Sequence, residues 1–270
     1  MILDSVPDRR DNTPRIGVMV ARNEEERKTV NTEEYACMRA VEDAHWWYRG
    51  LHTLVLQALA RHAPTAARIV DIGCGTGGMA SRLSGKRLVA ALDFNPDALT
   101  FCRARGIVPL VRGDGTSLPI ATGCADVALV LDVLYHKNVA EPGRVLSELR
   151  RVLAPGGVVV INVPAYQWLY SSHDVAVQTG RRFTRGQING LLSEAGFDVI
   201  KSSYWNTALF PAICAVRLLR RWVPPGTSDV KEGNPTINRL LGALLAMERA
   251  CMRCWSLPFG VSVFVVARGR

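Results

Sequence analysis

No run of about 18 uncharged apolar residues occurs in the 270-residue chain, so no membrane-spanning helix is expected. A secretory leader is not expected either. The one early apolar run, Ile16 to Val20, is short and sits among acids. Internal repeats and low-complexity tracts are missing. Cysteine is present but odd in number, seven residues scattered over the chain, which argues against a disulfide framework and for a reduced, cytoplasmic setting. Cys251 and Cys254 form a lone C-x-x-C with no second ligand pair at a usual spacing, so no metal site is expected. Acids are scarce beside bases, 24 against 33. The shortage is greatest in residues 171–270, with 6 acids and 13 bases. That bias suits an anionic partner, such as nucleic acid, phosphate or a membrane surface, or simply solvated arginines on helix backs. What is present is apolar material: hydrophobic residues make up 48% of the chain, which excludes disorder of the whole.

Residues 1–34 lack sustained periodicity and read as a loose leader. Leu51 to Ala63 has helical apolar spacing and is followed by Pro64. Strand-like and helical runs then alternate: strand Arg68–Ile72, helix Gly78–Leu83, strand Arg87–Asp93, helix Pro96–Arg105, strand Val108–Arg112, strand Asp126–Asp132, helix Glu141–Leu153 and strand Gly157–Val163. This alternation predicts βαβ units and a parallel sheet with helices on both faces. Val127–Leu131 and Val158–Ile161 are continuous apolar runs, as strands buried on both faces require. After Val163 comes a long aromatic loop. Thr184 and Gln187 form a capping box for a helix ending near Gly196. A strand over Asp198–Trp205, helices over about 207–222 and 236–254, and a last strand Val261–Ala267 complete the chain.

The sharpest motif is Val70-Asp71-Ile72-Gly73-Cys74-Gly75-Thr76-Gly77-Gly78. A buried strand runs into a glycine turn and then a helix, where backbone N–H groups lie open to a ligand. Asp93 ends the next strand, 20 residues after Gly73, where a carboxylate can accept ribose hydroxyl protons. Gly73, Gly75 and Gly78 also satisfy G-x-G-x-x-G, so a nicotinamide cofactor is a rival. Asp71 argues against it, because a carboxylate before the first glycine repels a pyrophosphate and suits an ammonium group.

These residues resemble the class I S-adenosylmethionine-dependent methyltransferases, whose glycine motif D/E-h-G-x-G-x-G stands here as Asp71 to Gly77. Gly113-Asp114-Gly115, the segment Asp126 to His136 and Leu153-Ala-Pro-Gly-Gly157 extend the resemblance, which runs from about Tyr35 to Arg268. It implies a Rossmann-like, seven-stranded, mainly parallel sheet with helices on both faces, an antiparallel last strand, an N-terminal lid and a helical insertion before that strand. It divides the chain into a leader (1–34), lid helices (35–64), a cofactor-binding core (65–165), an acceptor-side region (166–257) and the last strand (258–268).

By the same resemblance the cofactor is S-adenosyl-L-methionine, leaving as S-adenosyl-L-homocysteine. Asp71, Gly73, Gly75 and Gly77 would hold the methionine part, and Asp93 the ribose, with Phe94 near the adenine. Asp114 and Gly115 would meet the adenine, and Leu131 and Trp47 would complete the site. Asp114 also reads as an ordinary turn residue.

The segment Glu42-Asp-Ala-His45-Trp46-Trp47-Tyr48-Arg49-Gly50 is similar to an E-x-x-H-W-W-Y-R-G segment of one subgroup. The stretches Val163 to Tyr166, His173-Asp174, Arg181 to Thr184 and Leu257 to Gly260 are similar to further motifs there. Leu51-His52 replaces an expected Arg-Arg, and Thr179 and Phe183 replace an expected His and Tyr. That subgroup implies tailoring of secondary metabolites, sugars or lipid-linked glycans.

Tyr135 and His136 follow the fourth strand, at the carboxyl edge where ligands of parallel sheets bind. His136 reads as a base or orienter of the acceptor, or as a loop anchor, with Tyr135 and Tyr48 as further catalytic candidates. Tyr166, Tyr170 and His173 are second candidates, while His52 and His62 read as structural or surface residues. Trp46 and Trp47 read either as a lid over the cofactor or as a core plug. The expected reaction is in-line methyl transfer to carbon, oxygen or nitrogen of a small molecule. A nucleic-acid acceptor is not expected, because the fourth strand leads into Leu131-Asp-Val-Leu-Tyr-His136 rather than Asn/Asp-Pro-Pro-aromatic. A sugar or lipid-linked glycan at the membrane surface is the alternative acceptor, an NAD-dependent oxidoreductase or a non-catalytic binding protein a more remote one. Leu209–Trp222, with Arg217, Arg220 and Arg221, reads as a buried insertion helix or as an interfacial one, so peripheral membrane contact enters as an expectation.

Overall fold

A computed structural model describes residues 32–220 and 234–270. Two helices lead, α1 (Thr32–Val41) and α2 (Trp46–His62). The alternating part follows as β1 (Arg68–Ile72), α3 (Gly78–Leu83), β2 (Leu88–Asp93), α4 (Pro96–Ala104), β3 (Leu110–Arg112), β4 (Ala125–Leu131), α5 (Pro142–Val152) and β5 (Leu153–Pro164). Then come α6 (Ser172–Ala176), α7 (Arg185–Glu194), β6 (Phe197–Trp205), α8 (Phe210–Arg220), α9 (Pro235–Met252) and β7 (Ser262–Gly269). The expected leader gives up its last residues to α1, which begins at Thr32; residues 1–31 lie outside the described residues. So does the end of the helix expected to reach 222.

The seven strands form one sheet in the order β3-β2-β1-β4-β5-β7-β6. β7 runs antiparallel to both of its neighbours, and the other pairings are parallel. Alternation along each strand sends side chains to two cores. On one face Val70, Ile72, Ala128 and Val130 meet α5 and α7 through Leu146, Leu149, Ile188 and Leu192. On the other, Ile69, Ala91 and Leu129 meet α2, α3 and α9 through Leu54, Met79 and Leu245. Burying one such leucine is worth roughly 1.5–3 kcal/mol, so two filled faces hold the central strands firmly. Thr184 caps α7 as its spacing with Gln187 predicts, accepting from the Gln187 N–H at 3.3 Å. The strand expected from Gly157 starts earlier, because Leu153 already pairs with Ala125 across a register shift.

Strand order reverses between β1 and β4, so the crevice at their carboxyl ends is the place the topology leaves open. α1, α2, α8 and α9 roof it. α2 and α9 cross closely at Gly50, where a Cβ would come within 2.7 Å of Leu245 Cδ1. A glycine at that crossing lets the roof lie down on the sheet.

Candidate active site

A cavity of about 770 Å³ occupies that crevice. One end is made by the β1 and β2 exits. Asp71 is 2% exposed, and its Oδ2 has no hydrogen-bond partner. Burial, followed by the charges of Asp93 and Glu42, pushes its carboxyl up to about 7. The chain then turns through Gly73 (φ +67°) and Gly75 (φ +55°), left-handed conformations that favour glycine. Gly73 N and Cys74 N both donate to Leu92 O, at 2.7 and 3.0 Å. Asp93 stands across the turn, its Oδ2 accepting from Gly75 N at 3.0 Å and its Oδ1 from Asn95 N at 2.9 Å. Burial raises the Asp93 carboxyl, partly offset by those backbone donors.

Asp71, Gly73, Gly75, Asp93, Phe94, Asp114, Gly115, Leu131 and Trp47 all line the cavity. Gly77 does not. It sits at the N-terminus of α3 with φ +80°, and a Cβ there would be 2.5 Å from Ile107 and 2.9 Å from Cys102. Its place in the motif is explained by the turn and by packing. Asp114 does line the cavity, yet its Oδ1 also accepts from Thr116 N and Thr116 Oγ1, both at 2.9 Å. The turn reading of this residue therefore holds beside any other.

The N-terminal segment is locked to the glycine turn rather than hung over it. Glu42, 3% exposed, accepts from Thr76 Oγ1 and from the Arg105 guanidinium. His45 caps α2, its Nδ1 accepting from Trp47 N at 3.3 Å. Trp47 stacks on Trp205 at 5.9 Å and meets Tyr48 edge-on at 5.0 Å. Trp205 is fully buried and donates through Nε1 to Asn162 Oδ1 at 2.7 Å. Trp47 thus both lines the cavity and packs against a core residue.

The other end gathers residues far apart in sequence. Asp132, just past β4, has φ +58°, a left-handed conformation uncommon in a non-glycine residue. Its two oxygens accept from the same Asn162 Nδ2, at 3.0 and 2.9 Å. Burial pushes this carboxyl up to about 7 despite the Asn162 bond and the Arg182 charge. Sequence reasoning stopped at Leu131 and missed it; an acid directly at a parallel strand's carboxyl end was the available signal.

Tyr48, Tyr135 and His136 all line the cavity. The phenols of Tyr48 and Tyr135 are pushed up by burial and by nearby acids, so both keep their protons at neutral pH. His136 is held below its ordinary range by burial and by Lys137, hence neutral. Its Nδ1 accepts from Asn138 N at 3.2 Å. That bond puts the ring proton on Nε2, which is buried without a partner. In this arrangement His136 offers a donor, not the lone pair a base needs.

Of the second candidates, His173 lines the cavity; Tyr166 and Tyr170 do not. Tyr166 stacks on Tyr204 at 5.0 Å, and Tyr170 donates to Thr179 O at 3.1 Å. His52 lines the cavity on α2, buried and pushed down to about 4, its Nδ1 accepting from Arg82. Thr179 lies opposite His136 across an isolated β-bridge. Asp174 is held low: burial raises it, but Arg182 at 2.8 Å and Arg217 at 3.2 Å outweigh that. Leu209, Ile213 and Val216 from the α8 region, with Leu241 of α9, give this end an apolar wall. No group of acids, histidines and cysteines suited to a metal ion occurs among the described residues.

Comparison with known proteins bears on this geometry. Residues 70–161 match the methyltransferase domain family. A 161-residue stretch is 29% identical to a protein of Mycolicibacterium smegmatis named as a probable S-adenosylmethionine-dependent methyltransferase, covering 58% of this chain and 61% of that one. A demethylmenaquinone methyltransferase of Thermus thermophilus is 37% identical over 103 residues, 35% of this chain and 46% of the relative. The chain thus spans less than two thirds of these relatives. Among solved structures, the S-adenosylmethionine-dependent methyltransferase of Mesorhizobium loti superposes with a TM-score of 0.55 at 17% identity, over 84% of this chain and 99% of the other. Residues 70–161 thus match a methyltransferase domain, and the sheet around them has the class I, Rossmann-like fold.

Proposed function

We propose that the protein transfers a methyl group from S-adenosylmethionine to a small, largely apolar molecule, a secondary metabolite by its class, that carries one ionisable group. The observation behind this reading is the unpartnered Asp71 Oδ2, 2% exposed at the cavity wall. A buried acceptor without a donor costs about 1–3 kcal/mol, which a ligand ammonium would remove. The pyrophosphate of a nicotinamide cofactor would instead meet like charge from Asp71, Asp93 and Glu42. When bound, S-adenosylmethionine supplies a methyl carbon made electrophilic by its sulfonium, with a thioether as leaving group.

The rest of the chemistry is positioning and proton handling by the chain. Asp71 and the turn through Gly73 and Gly75 hold the ammonium end. Asp93 takes the ribose hydroxyls, while Phe94, Asp114, Gly115 and Leu131 bound the base. Trp47 and Tyr48 close the space between the two ends and exclude water. Asp132 receives the acceptor's proton, since a carboxyl at about 7 is half ionised where it must work. His136 Nε2–H donates to the acceptor and orients it. Tyr135 supports this end as a neutral phenol.

The apolar wall from Leu209 to Val216 supports an apolar acceptor over a free sugar; a lipid-linked one still fits the wall. Calorimetry with S-adenosylhomocysteine and with NAD tests the cofactor: only the first should bind. Binding of NAD alone would overturn the reading. Mass spectrometry of metabolite extracts incubated with isotopically labelled cofactor then identifies the acceptor.

A further inference from the structure

α9 carries apolar residues on two sides about a right angle apart. Inward, Leu245 and Met252 are buried and Leu241 lines the cavity. Outward, Ile237 is 55% exposed, Leu240 66% and Met247 67%, at spacings of three and seven that put them on one side. Trp255, 70% exposed, follows the helix directly. A contiguous exposed apolar stripe marks a contact surface.

The charges say what kind of partner. The one acid in α9, Glu248, is buried and accepts from Thr207 N at 2.8 Å. Arg239 and Arg253 are exposed. A second copy laid antiparallel along this helix would set Arg239 of one copy against Arg253 of the other, and a parallel copy would set each arginine against itself. Either arrangement puts cation on cation. An anionic lipid surface satisfies the arginines and the apolar stripe together. No described helix is long and apolar enough to cross a membrane, so the contact is one that lies on the surface.

We infer that the outer face of α9 docks on an anionic lipid bilayer, with Ile237, Leu240, Met247 and Trp255 entering the headgroup boundary and Arg239 and Arg253 reaching lipid phosphates from the flank of the helix. Because the inner face of the same helix walls the acceptor end, docking brings that end to the bilayer. This last step rests on the methyl-transfer reading; the docking itself does not.

Co-sedimentation with vesicles of phosphatidylcholine, alone or with about three parts in ten phosphatidylglycerol, tests it. The wild type should bind the anionic vesicles at least about tenfold more tightly than the neutral ones and lose most of that preference in about 0.5 M salt. Leu240→Glu with Met247→Glu should lower binding at least about tenfold, and Arg239→Glu with Arg253→Glu should remove the preference for anionic lipid. S-adenosylhomocysteine affinity within about threefold of wild type would show that both variants fold. Wild type left in the supernatant, or equal binding by the folded variants, overturns the proposal. A dimer in sedimentation velocity that the first variant abolishes, with no vesicle binding, assigns the face to a second copy and also overturns it. Failure of the wild type to bind S-adenosylhomocysteine would sink the methyl-transfer reading without touching the docking.

Discussion

The two ends of the cavity are built differently. The end proposed for the cofactor centres on two strand exits and one glycine turn, residues 71–93, where the turn's N–H groups donate at 2.7–3.0 Å to Leu92 O and Asp93 Oδ2. Its acids, Asp71 and Asp93, are pushed up by burial, and among the described residues no guanidinium is bonded to either. The acceptor end draws Tyr48, Asp132, His136, Asp174, Arg182 and α8 from across the chain. There Asp174 pairs with two arginines, while Asp132 is bonded to Asn162 and feels only the charge of Arg182. One end is lined by two buried acids on adjacent strands; the other combines an apolar wall with a carboxyl pushed up to about 7.

Substitutions should separate the two ends. The largest effect is expected at the acceptor end. Asp132→Asn should lower turnover by about 10²-fold or more, with S-adenosylhomocysteine affinity within about threefold. The wild-type rate should rise with pH through about 7, as Asp132 ionises, and this limb should vanish in the variant. His136→Ala should cost only about tenfold and keep the limb, because a donor rather than a base is lost. A limb that disappears with His136 instead would reverse the two assignments.

At the other end, Asp71→Asn should weaken S-adenosylhomocysteine binding at least about tenfold through loss of a charge-assisted bond, while a neutral amide keeps the fold. Unchanged affinity would remove Asp71 from the ammonium site. A smaller effect distinguishes the ends by pH alone. Asp71 must be ionised to hold an ammonium, so affinity measured by calorimetry should increase between pH 6 and pH 8, by up to about tenfold. Below about 7 the carboxyl is protonated and binding must first release that proton. The smallest effect lies outside both ends. Thr184→Ala should lower unfolding free energy by about 1 kcal/mol in urea titration, with cofactor affinity unchanged.

The sheet was legible because its signals are local and redundant. Val127–Leu131 and Val158–Ile161 are short, β-branched apolar runs that fit strands buried on both faces, and the pair Thr184–Gln187 has the spacing of a capping box. The glycine turn was legible for the same reason: φ +67° and φ +55° favour glycine, so conformation is written directly in the residues. Gly77 was misplaced because its φ fits the motif equally well; only the neighbouring Ile107 and Cys102 show that it faces the packing and not the cavity. Base and orienter stay open for His136 in the sequence because its position, not its hydrogen bond, is visible there. Asn138 N decides the tautomer, and that contact exists only once the loop after β4 is folded.

The sequence by itself determined the strands, the glycine turn, Asp71 and Asp93, since each depends on residues within one strand-turn-helix unit. Tertiary structure decided the rest. It placed Asn162 under Asp132, Trp205 behind Trp47 and Glu42 across Thr76, pairings 30 or more residues apart. Proton affinity follows burial and the nearest charge, and neither exists until distant segments meet.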